Sequence, residues 1–240
     1  EASLVSMDPQ TGAITALVGG FDFNRNKYNH VTQAKRQPGS TFKPFIYSAA
    51  LEKGITPATI VNDAPLHFSA AETGSGMDWD PQNYDNDFDG HIRLRNGLAK
   101  SKNLVAIRVL KSIGAPYAQD YASRFGFDPA NHPAYLSMGL GVGSATLIEM
   151  VTAYGVFANG GYLKKPYLIE KMVDSQGQVI DQTNTMFQNE ETPRVIDPRN
   201  AFIMTTLLQD VVNKGTAQKA KALGRSDIAG KTGTTNNQVD

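Results

Sequence analysis

The sequence contains no cysteine, and this absence excludes several kinds of protein. Without a single Cys in 240 residues, disulfide scaffolds, thiol nucleophiles and cysteine-ligated zinc sites are ruled out, while the redox compartment stays open. No apolar run approaches the ~18 residues that span a bilayer, and the first twenty residues lack the regions of a signal peptide. We therefore expect any membrane anchor or export signal to lie outside this sequence.

Neither sign of charge is in excess. The sequence has 23 Lys and Arg residues against 23 Asp and Glu residues, which gives a formal net charge of zero. Because a neutral chain creates no broad field that attracts polyanions, nucleic-acid binding as the main function is disfavoured. With 40% hydrophobic residues, a chain of this length can bury a substantial core. We find no internal repeat, and the pattern predicts one α+β domain with a loop-rich insert.

Hydrophobic periodicity and turn residues give the order of the elements. Apolar residues recur at helical spacing from Phe42, and Gly54 stands where that helix would end. The other predictions are strands at residues 3–7 and 13–18, helices at 94–100, 104–110, 116–125, 145–158 and 200–212, a second hairpin of residues 167–173 and 178–180, and a strand at 226–234.

Residues 72–89 are predicted to form a long surface loop. This stretch holds six acidic residues, no Lys or Arg, and the only tryptophan, Trp79. Residues 85–90 have the D-x-D-x-D-G spacing of a calcium loop, but Asn96 stands where a closing bidentate Glu is required. A solvated acidic loop explains the spacing better, and we predict no metal site. Two glycine-rich stretches, 139–143 and 224–232, also fail the spacing of dinucleotide- and phosphate-binding motifs, so no cofactor is predicted.

The first candidate catalytic motif is Ser40-Thr41-Phe42-Lys43, at the start of the predicted helix. Residues three apart share a helix face, so the Lys43 amine can approach the Ser40 hydroxyl. Pro44 has no N–H, which places Ser40 at the extreme helix N-terminus, where backbone N–H groups can stabilise an oxyanion. A lysine with a lowered pKa can be the base that a serine nucleophile needs. Alone, S-x-x-K also occurs by chance.

The second motif is Ser101-Lys102-Asn103, between two predicted helices. A serine hydroxyl can pass a proton between an amine and a leaving group. An asparagine amide can hold a peptide carbonyl and a lysine ammonium together. Ser and Asn are also common helix caps, and for this motif in isolation the cap is the simpler interpretation.

The third motif is Lys231-Thr232-Gly233-Thr234, on the predicted terminal strand. Gly233 lets a substrate backbone lie close to the strand, the threonine hydroxyls can bind a carboxylate, and Lys231 supplies a positive charge. The alternative is a polar edge strand protected by a lysine.

Together the three motifs supply a nucleophile with its base, a proton relay and a carboxylate-binding strand, which are the parts needed to cleave a peptide that ends in a free carboxylate. No G-x-S-x-G or H-E-x-x-H motif is present. The histidines lie in predicted loops away from Ser40 and are His30, His67, His91 and His132. A Ser-His triad and a histidine metal site are therefore disfavoured.

The S-x-x-K, S-x-N and K-T-G set resembles that of penicillin-binding proteins and serine β-lactamases. The flanking segments 36–45 (RQPGSTFKPF), 79–85 (WDPQNYD) and 94–98 (LRNGL) are similar to the transpeptidase domain of bifunctional class A penicillin-binding proteins. This resemblance extends over nearly the whole chain. It implies an α+β fold with a central antiparallel sheet flanked by helices, and an all-helical subdomain.

The resemblance also implies a serine D,D-transpeptidase that crosslinks peptidoglycan stem peptides. Ser40 would attack the carbonyl between two terminal D-alanines, with Lys43 as the base. Ser101 would relay the proton, and Asn103 would position the substrate amide and Lys43. An amine from a neighbouring stem peptide would then take the acyl group, and β-lactams would acylate the same serine.

By the same resemblance, Lys231, Thr232, Gly233 and Thr234 would bind the substrate carboxylate, and the backbone amides of Ser40 and Thr234 would form the oxyanion hole. The family implies no cofactor, no metal and no nucleic acid. Its expected partners are stem peptides, β-lactams and cell-wall synthesis proteins. The expected location is the periplasmic face of the bacterial inner membrane.

In that family, further strands and a C-terminal helix follow K-T-G, whereas this sequence ends at Asp240. We therefore expect residues 1–240 to be one transpeptidase domain that is incomplete at its C-terminus. The remaining segment would be supplied by another chain or by further residues. The glycosyltransferase domain and membrane anchor of the family are also outside the sequence. A stable, penicillin-binding monomer of residues 1–240 would contradict this expectation.

Two other functions stay open. A serine β-lactamase has the same motifs but needs a carboxylate that activates water, and Glu149 is predicted to lie exposed in the middle of a helix, which does not suit that role. A sensor domain would be acylated without turnover. The rate of deacylation and the release of D-alanine distinguish these functions.

Overall fold

The computed structural model describes residues 2–73, 77–183 and 194–235. In chain order its elements are β1 (Leu4–Met7), β2 (Ile14–Val18), α1 (Lys43–Glu52), β3 (Ile60–Asp63), α2 (Ala70–Thr73), β4 (Gly90–Arg93), α3 (Leu94–Ala99), α4 (Asn103–Ile113), α5 (Ala115–Ser123), α6 (Leu147–Ala158), β5 (Lys171–Val173), β6 (Val179–Gln182) and α7 (Pro198–Lys214). The predicted α+β class is confirmed. The chain divides into two compact units, the first of Glu1–Arg36, Arg124–Phe127 and Ala145–Ala201, and the second of Gln37–Ser123, Asp128–Ser144 and Phe202–Asp240.

The first unit contains the predicted N-terminal hairpin. β1 and β2 pair antiparallel, with Leu4 opposite Val18. The Asp8 carboxylate accepts the Gln10 N–H at 2.7 Å, which tightens the turn between the strands. α6 packs on β1, and a methyl group added to Gly155 would come within 3.0 Å of the Met7 Cε. The small residue therefore allows the helix to lie close to the hairpin.

The start of α6 corrects a sequence prediction. The helix begins at Leu147 rather than Ala145, and the Thr146 hydroxyl accepts the Glu149 N–H at 3.3 Å. The Glu149 carboxylate in turn accepts the Thr146 N–H at 2.6 Å, so the two residues form a capping box. The prediction that Glu149 is exposed in mid-helix is wrong. It lies half-buried in the first turn, where its carboxylate completes the cap.

The second predicted hairpin is also confirmed in the first unit. β5 and β6 pair antiparallel, with Lys171 opposite Gln182. Every residue of both strands is exposed, so these strands contribute no buried side chains to the hydrophobic core.

The central helix of the second unit is α1. All its residues from Lys43 to Ala50 are buried, and it packs against α4 and α5. The Ser48 hydroxyl lies 3.0 Å from the hydroxyl of the buried Tyr121. Because α1 is enclosed along most of its length, its N-terminal turn is held by packing as well as by hydrogen bonds.

The strands differ from the single central sheet that the resemblance implied. The described residues form three separate two-stranded ladders. β3 and β4, which sequence patterning misses, pair with Asp63 opposite Gly90. The prediction of a strand at 226–234 is wrong, because these residues are not in a strand. In the described part of the chain, no other strand pairs with them to complete a ladder. Within the same ranges, no helix combines the length and apolarity needed to cross a membrane.

Candidate active site

The S-x-x-K motif lies at the junction of a 3₁₀ turn and α1. The turn spans Gly39–Phe42, and the Lys43 N–H donates to the Ser40 carbonyl. Ser40 therefore precedes the α-helix, as the sequence predicts. Gly39 has a φ of 54°, and a methyl group on it would lie 2.7 Å from the Thr234 carbonyl oxygen. Only glycine suits this conformation at such a close approach, and it brings the K-T-G segment against the Ser40 turn.

The Lys43 side chain points from α1 to the S-x-N motif. Its Nζ donates to the Ser101 carbonyl at 2.6 Å and to Asn103 Oδ1 at 2.7 Å, and it lies 3.3 Å from Ser101 Oγ. Among the described residues, the Ser40 hydroxyl is not one of its hydrogen-bond partners. Lys43 is thus fixed mainly by Ser101 and Asn103, which are 58 and 60 positions along the chain.

The second lysine of the site approaches Ser101 from the other side. Lys231 Nζ donates to Ser101 Oγ at 2.8 Å and to the Thr232 carbonyl at 2.8 Å. Burial lowers the pKa of Lys231 from 10.5 to about 8. Burial, followed by the charge of Lys231, lowers the pKa of Lys43 well below its usual value, and the charge of Asp63 opposes this effect. Lys43 therefore has the stronger tendency to be neutral, while Lys231 keeps a cation near Ser101 at neutral pH.

Ser101 lies at the end of α3 in a conformation that usually requires glycine. Its φ is 58°, and its N–H donates to the Leu98 carbonyl at 3.0 Å. The next N–H, that of Lys102, donates to the Gly97 carbonyl at 2.9 Å. This pair of hydrogen bonds is a Schellman motif, in which Ser101 holds the left-handed position. The strained turn points both the carbonyl and the hydroxyl of Ser101 at Lys43.

The K-T-G residues face a large cavity in the second unit. A methyl group on Gly233 would lie 2.7 Å from Thr41 Cγ2, so this segment runs beside the Ser40 turn. The Thr232 hydroxyl lies 2.6 Å from the hydroxyl of Thr216. The cavity has a volume of about 1180 Å³. Of the predicted site residues, it is lined by Ser40, Ser101, Asn103, Thr232, Gly233 and Thr234. Lys43 and Lys231 reach the site through their hydrogen bonds to Ser101.

The acidic segment corrects a further prediction, because it is part of the site. Its residues 79–85 line the cavity, and Asn103 Nδ2 donates to the Gln82 carbonyl at 2.8 Å. Asn83 is only 2% exposed, so this stretch is not a solvated surface loop throughout. Sequence reasoning missed Asn83 and Thr216. The available signal for Asn83 was an uncharged Gln-Asn pair in a segment that holds six acidic residues and no basic ones.

The acidic residues surround a lysine. Lys102, between Ser101 and Asn103, is 3% exposed, and its Nζ lies 2.9 Å from Asp85 and 3.5 Å from Asp63. Burial alone would lower the pKa of Lys102, but the hydrogen bond to Asp85 and the nearby carboxylates raise it. A charged ammonium therefore occupies the position that the calcium-like spacing suggested for a metal. Across the described ranges, no group of three or more potential metal ligands comes together.

The histidines lie apart from this chemistry. The buried His132 ring stacks on Phe42 with ring centroids 4.7 Å apart. His67 Nδ1 lies 2.9 Å from an Asp80 oxygen at the surface. The hydrogen-bond partners of Lys43 and Ser101 in the described residues include neither of these histidines.

The α+β fold and the paired serine and lysine motifs around one cavity define the class of penicillin-recognising serine proteins. The chain belongs to the family described as the penicillin binding protein transpeptidase domain, whose model matches residues 2–239. The family resemblance inferred from the three motifs is thereby confirmed.

Individual relatives agree with this assignment. Penicillin-binding protein 1A of Neisseria lactamica is 53% identical over all 240 residues, which correspond to 30% of that protein. The crystal structure of penicillin-binding protein 1A from Haemophilus influenzae matches 98% of this chain and 39% of its own, with a TM-score of 0.91 and 37% identity. PonA1 of Mycobacterium tuberculosis in complex with penicillin V matches 88% of this chain and 56% of its own, with a TM-score of 0.74 and 26% identity. The chain thus spans about a third of the length of the curated relatives that it matches.

Proposed function

We propose that this chain is a serine D,D-transpeptidase domain that crosslinks peptidoglycan stem peptides through an acyl-enzyme on Ser40. The observation that carries the proposal is the contact of both Lys43 and Lys231 with the single hydroxyl of Ser101, beside the Ser40 turn. The family membership supports the reaction class, and the PonA1 complex with penicillin V supports β-lactams as acylating agents.

The hydrogen bonds around Lys43 suit a neutral amine acting as a base. A neutral amine has two N–H donors and one lone pair. The donors are matched by two oxygens that can only accept, the Ser101 carbonyl and Asn103 Oδ1. The lone pair is then available to take a proton from a hydroxyl. Burial and the Lys231 cation both lower the pKa of Lys43, which favours that state and so favours Lys43 as the base.

In the acylation step, the Ser40 Oγ attacks the carbonyl carbon between the two terminal D-alanines, and its proton passes to Lys43. The peptide C–N bond breaks, and the leaving amine of D-alanine takes a proton through the Ser101 hydroxyl. Backbone N–H groups of Ser40 and Thr234 stabilise the oxyanion. Lys231 with Thr232 and the Thr234 hydroxyl binds the terminal carboxylate, which places the scissile bond at the serine.

In the second step, an amine of a neighbouring stem peptide attacks the ester carbonyl. That amine gives up a proton to Lys43, and the Ser40 oxygen takes a proton back as the ester bond breaks. The product is a new amide crosslink, and the free serine is restored. Asn103, which lines the cavity, holds the donor amide in both steps.

Several finer points belong to the same proposal. The reaction takes place at the periplasmic face of the inner membrane, because its substrate lies there. The whole protein combines this domain with glycosyltransferase activity and a membrane anchor, by analogy with the bifunctional class A family. Cell-wall synthesis proteins are its partners, and no metal or cofactor takes part.

The test is intact-mass spectrometry after treatment with benzylpenicillin. We expect a single long-lived adduct, mapped to Ser40 by peptide analysis, and release of D-alanine from a pentapeptide substrate. Ser40→Ala should abolish the adduct, while Ser112→Ala, which removes a hydroxyl that donates to the Val109 carbonyl within α4, should keep it. Fast loss of the adduct would favour a β-lactamase, and an adduct without D-alanine release would favour a sensor.

A further inference from the structure

The N-terminus of α4 is capped by a residue from another part of the chain. The helix begins at Asn103, and its N-cap residue, Lys102, provides no side-chain cap. Instead, Asn83 Oδ1 accepts the Asn103 N–H at 2.8 Å and the Leu104 N–H at 3.3 Å. The first N–H groups of a helix have no partner within it, so an external acceptor at this position stabilises the helix start.

The nitrogen of the Asn83 side-chain amide also has hydrogen-bond partners for both of its N–H groups. Nδ2 donates to Asp63 Oδ1 at 2.9 Å and to the Asp87 carbonyl at 2.8 Å. Asn83 is almost completely buried, and both of its N–H donors and its oxygen are engaged. A buried polar network in which each group is satisfied permits one arrangement, because any shift leaves a donor or acceptor without a partner.

The same network holds the middle residue of the S-x-N motif. Asp63 Oδ2 accepts the Asp89 N–H at 3.0 Å and lies 3.5 Å from Lys102 Nζ. Lys102 Nζ also donates to Asp85 at 2.9 Å and to the Asp87 carbonyl at 3.2 Å. The S-x-N motif is therefore anchored through Lys102 by contacts that do not involve Lys43.

The anchored backbone determines where the reacting groups lie. Asn103 is fixed by its own N–H, which binds Asn83, and by its Nδ2, which binds the Gln82 carbonyl at 2.8 Å. Its remaining amide oxygen accepts from Lys43 at 2.7 Å. One dipeptide, Gln82-Asn83, thus fixes both the main chain and the side chain of the residue that holds Lys43.

We propose that Asn83 is a positioning residue of the active site, which keeps the S-x-N turn in register with Lys43 by capping α4 from the acidic segment. The inference rests on the proposed acyl transfer at Ser40. Asn83 touches neither Lys43 nor Ser40, so its effect is on the rate of acylation rather than on the binding of the substrate carboxylate, which is the task of the K-T-G segment.

The test measures noncovalent binding and acylation separately. Stopped-flow kinetics with a chromogenic cephalosporin give the dissociation constant of the initial complex and the first-order acylation rate constant, at a temperature where circular dichroism shows each variant folded. For Asn83→Ala we expect the acylation rate constant to fall at least tenfold, while the dissociation constant changes by less than threefold. Lys231 and its threonines, which hold the carboxylate, are untouched by this substitution.

Two further variants separate positioning from general stability. Asn159→Ala removes a side-chain amide that, like that of Asn83, hydrogen-bonds to several backbone groups, here at the end of α6. None of these residues lines the cavity, so the variant should lower the unfolding temperature without changing the acylation rate constant. Asn83→Asp alone places a second carboxylate against Asp63 and should slow acylation. Combined with Asp63→Asn it restores a donor and an acceptor between positions 63 and 83, while the Asp87 carbonyl still loses its donor. We therefore expect a partial recovery, with acylation at least threefold faster than in Asn83→Asp alone.

Three results would overturn the inference. They are a folded Asn83→Ala variant that acylates within twofold of the wild type, an Asn159→Ala variant that loses as much acylation, and a paired swap that recovers stability without recovering any acylation. If neither Asn83 single variant folds, the paired swap alone decides between these outcomes. A wild-type protein that forms no adduct on Ser40 would instead contradict the proposed function.

Discussion

At the scale of single residues, the site depends on a serine in an unfavourable backbone conformation. Ser101 has a φ of 58°, and a residue with a Cβ pays roughly 1 kcal/mol for this relative to glycine. Serine nevertheless occupies the position, and its hydroxyl lies between Lys43 and Lys231. We infer that the strained backbone at Ser101 lowers the stability of the protein and is retained because the serine hydroxyl is needed between the two lysines, as is common at functional sites.

The substitutions Ser101→Gly and Ser101→Ala test this trade-off. Both remove the hydroxyl, so both should lower the acylation rate by at least tenfold. Only glycine relieves the positive φ, so Ser101→Gly should be more stable than Ser101→Ala by about 1 kcal/mol. Urea unfolding of the two variants measures the difference. Equal stability of the two would show that the backbone is not strained at this residue.

Residue types and their spacing were enough to name candidate site residues. Ser40, Lys43, Ser101, Asn103 and the K-T-G residues were all chosen from motifs, and the fold brings them together beside one cavity. Their catalytic roles stay predictions. Asn83 and Thr216 could not be found in this way. Their importance comes from contacts with Asn103 and Thr232, which are distant in sequence and depend on the fold.

At the scale of elements, two glycine turns bring the motif segments together. Gly141 follows the 3₁₀ turn Leu136–Leu140 with a φ of 73°, and a methyl group on it would overlap the Gly39 carbonyl oxygen. Its N–H donates to the Met138 carbonyl at 3.0 Å. The close approach therefore links the Leu136–Leu140 turn to the turn that carries Ser40.

Gly141→Ala should damage both stability and acylation, and the chain offers a matched control. Gly224 also ends a 3₁₀ turn in the left-handed conformation, with a φ of 67°, but a methyl group there meets nothing within 4 Å. We expect Gly224→Ala to cost about 1 kcal/mol, from the positive φ alone, without a change in acylation. Gly141→Ala should cost roughly 3 kcal/mol and slow acylation, because the Ser40 turn must move. Chemical denaturation and penicillin labelling measure both effects, and similar results for the two variants would contradict the steric argument.

Elements with strong local signals were predicted well. The helices α1, α3, α4, α5, α6 and α7 appear at the predicted places with one or both ends shifted, and both predicted hairpins are present. The four-residue strands β3 and β4 were missed, because they are stabilised by pairing with each other rather than by an alternating pattern. The strand predicted at 226–234 had suitable residues but lacks a paired neighbour among the described residues.

At the scale of the whole molecule, the lysines of the site make stability depend on pH. In the unfolded chain Lys231 keeps its proton up to about pH 10.4, whereas burial lowers its pKa to about 8 in the folded protein. Between these pH values the unfolded state binds more protons, so the free energy of unfolding rises with pH. The cost of holding the buried charge is fully present below pH 8 and is relieved above it.

Lys231→Met should remove this dependence. We expect the unfolding free energy of the wild type, relative to the variant, to rise between pH 8 and pH 10 by up to about 3 kcal/mol. The pKa of Lys43, which the Lys231 charge lowers, should rise in the variant and add to the difference. Thermal unfolding monitored by circular dichroism at several pH values in this range measures the difference in unfolding free energy between the two proteins. A difference that is independent of pH would show that Lys231 titrates normally in the folded protein.

The sequence by itself determined the family of this protein, its candidate reactive residues and most of its helices, because motif spacing within one helix and apolar periodicity are local properties of the chain. The tertiary structure decided the rest. It placed Lys43 on Ser101 and Asn103 rather than on Ser40, and it turned an acidic stretch into the support of α4. It also divided the strands into separate ladders. These outcomes depend on contacts between residues tens to more than a hundred positions apart, and such contacts are set only when the whole core packs.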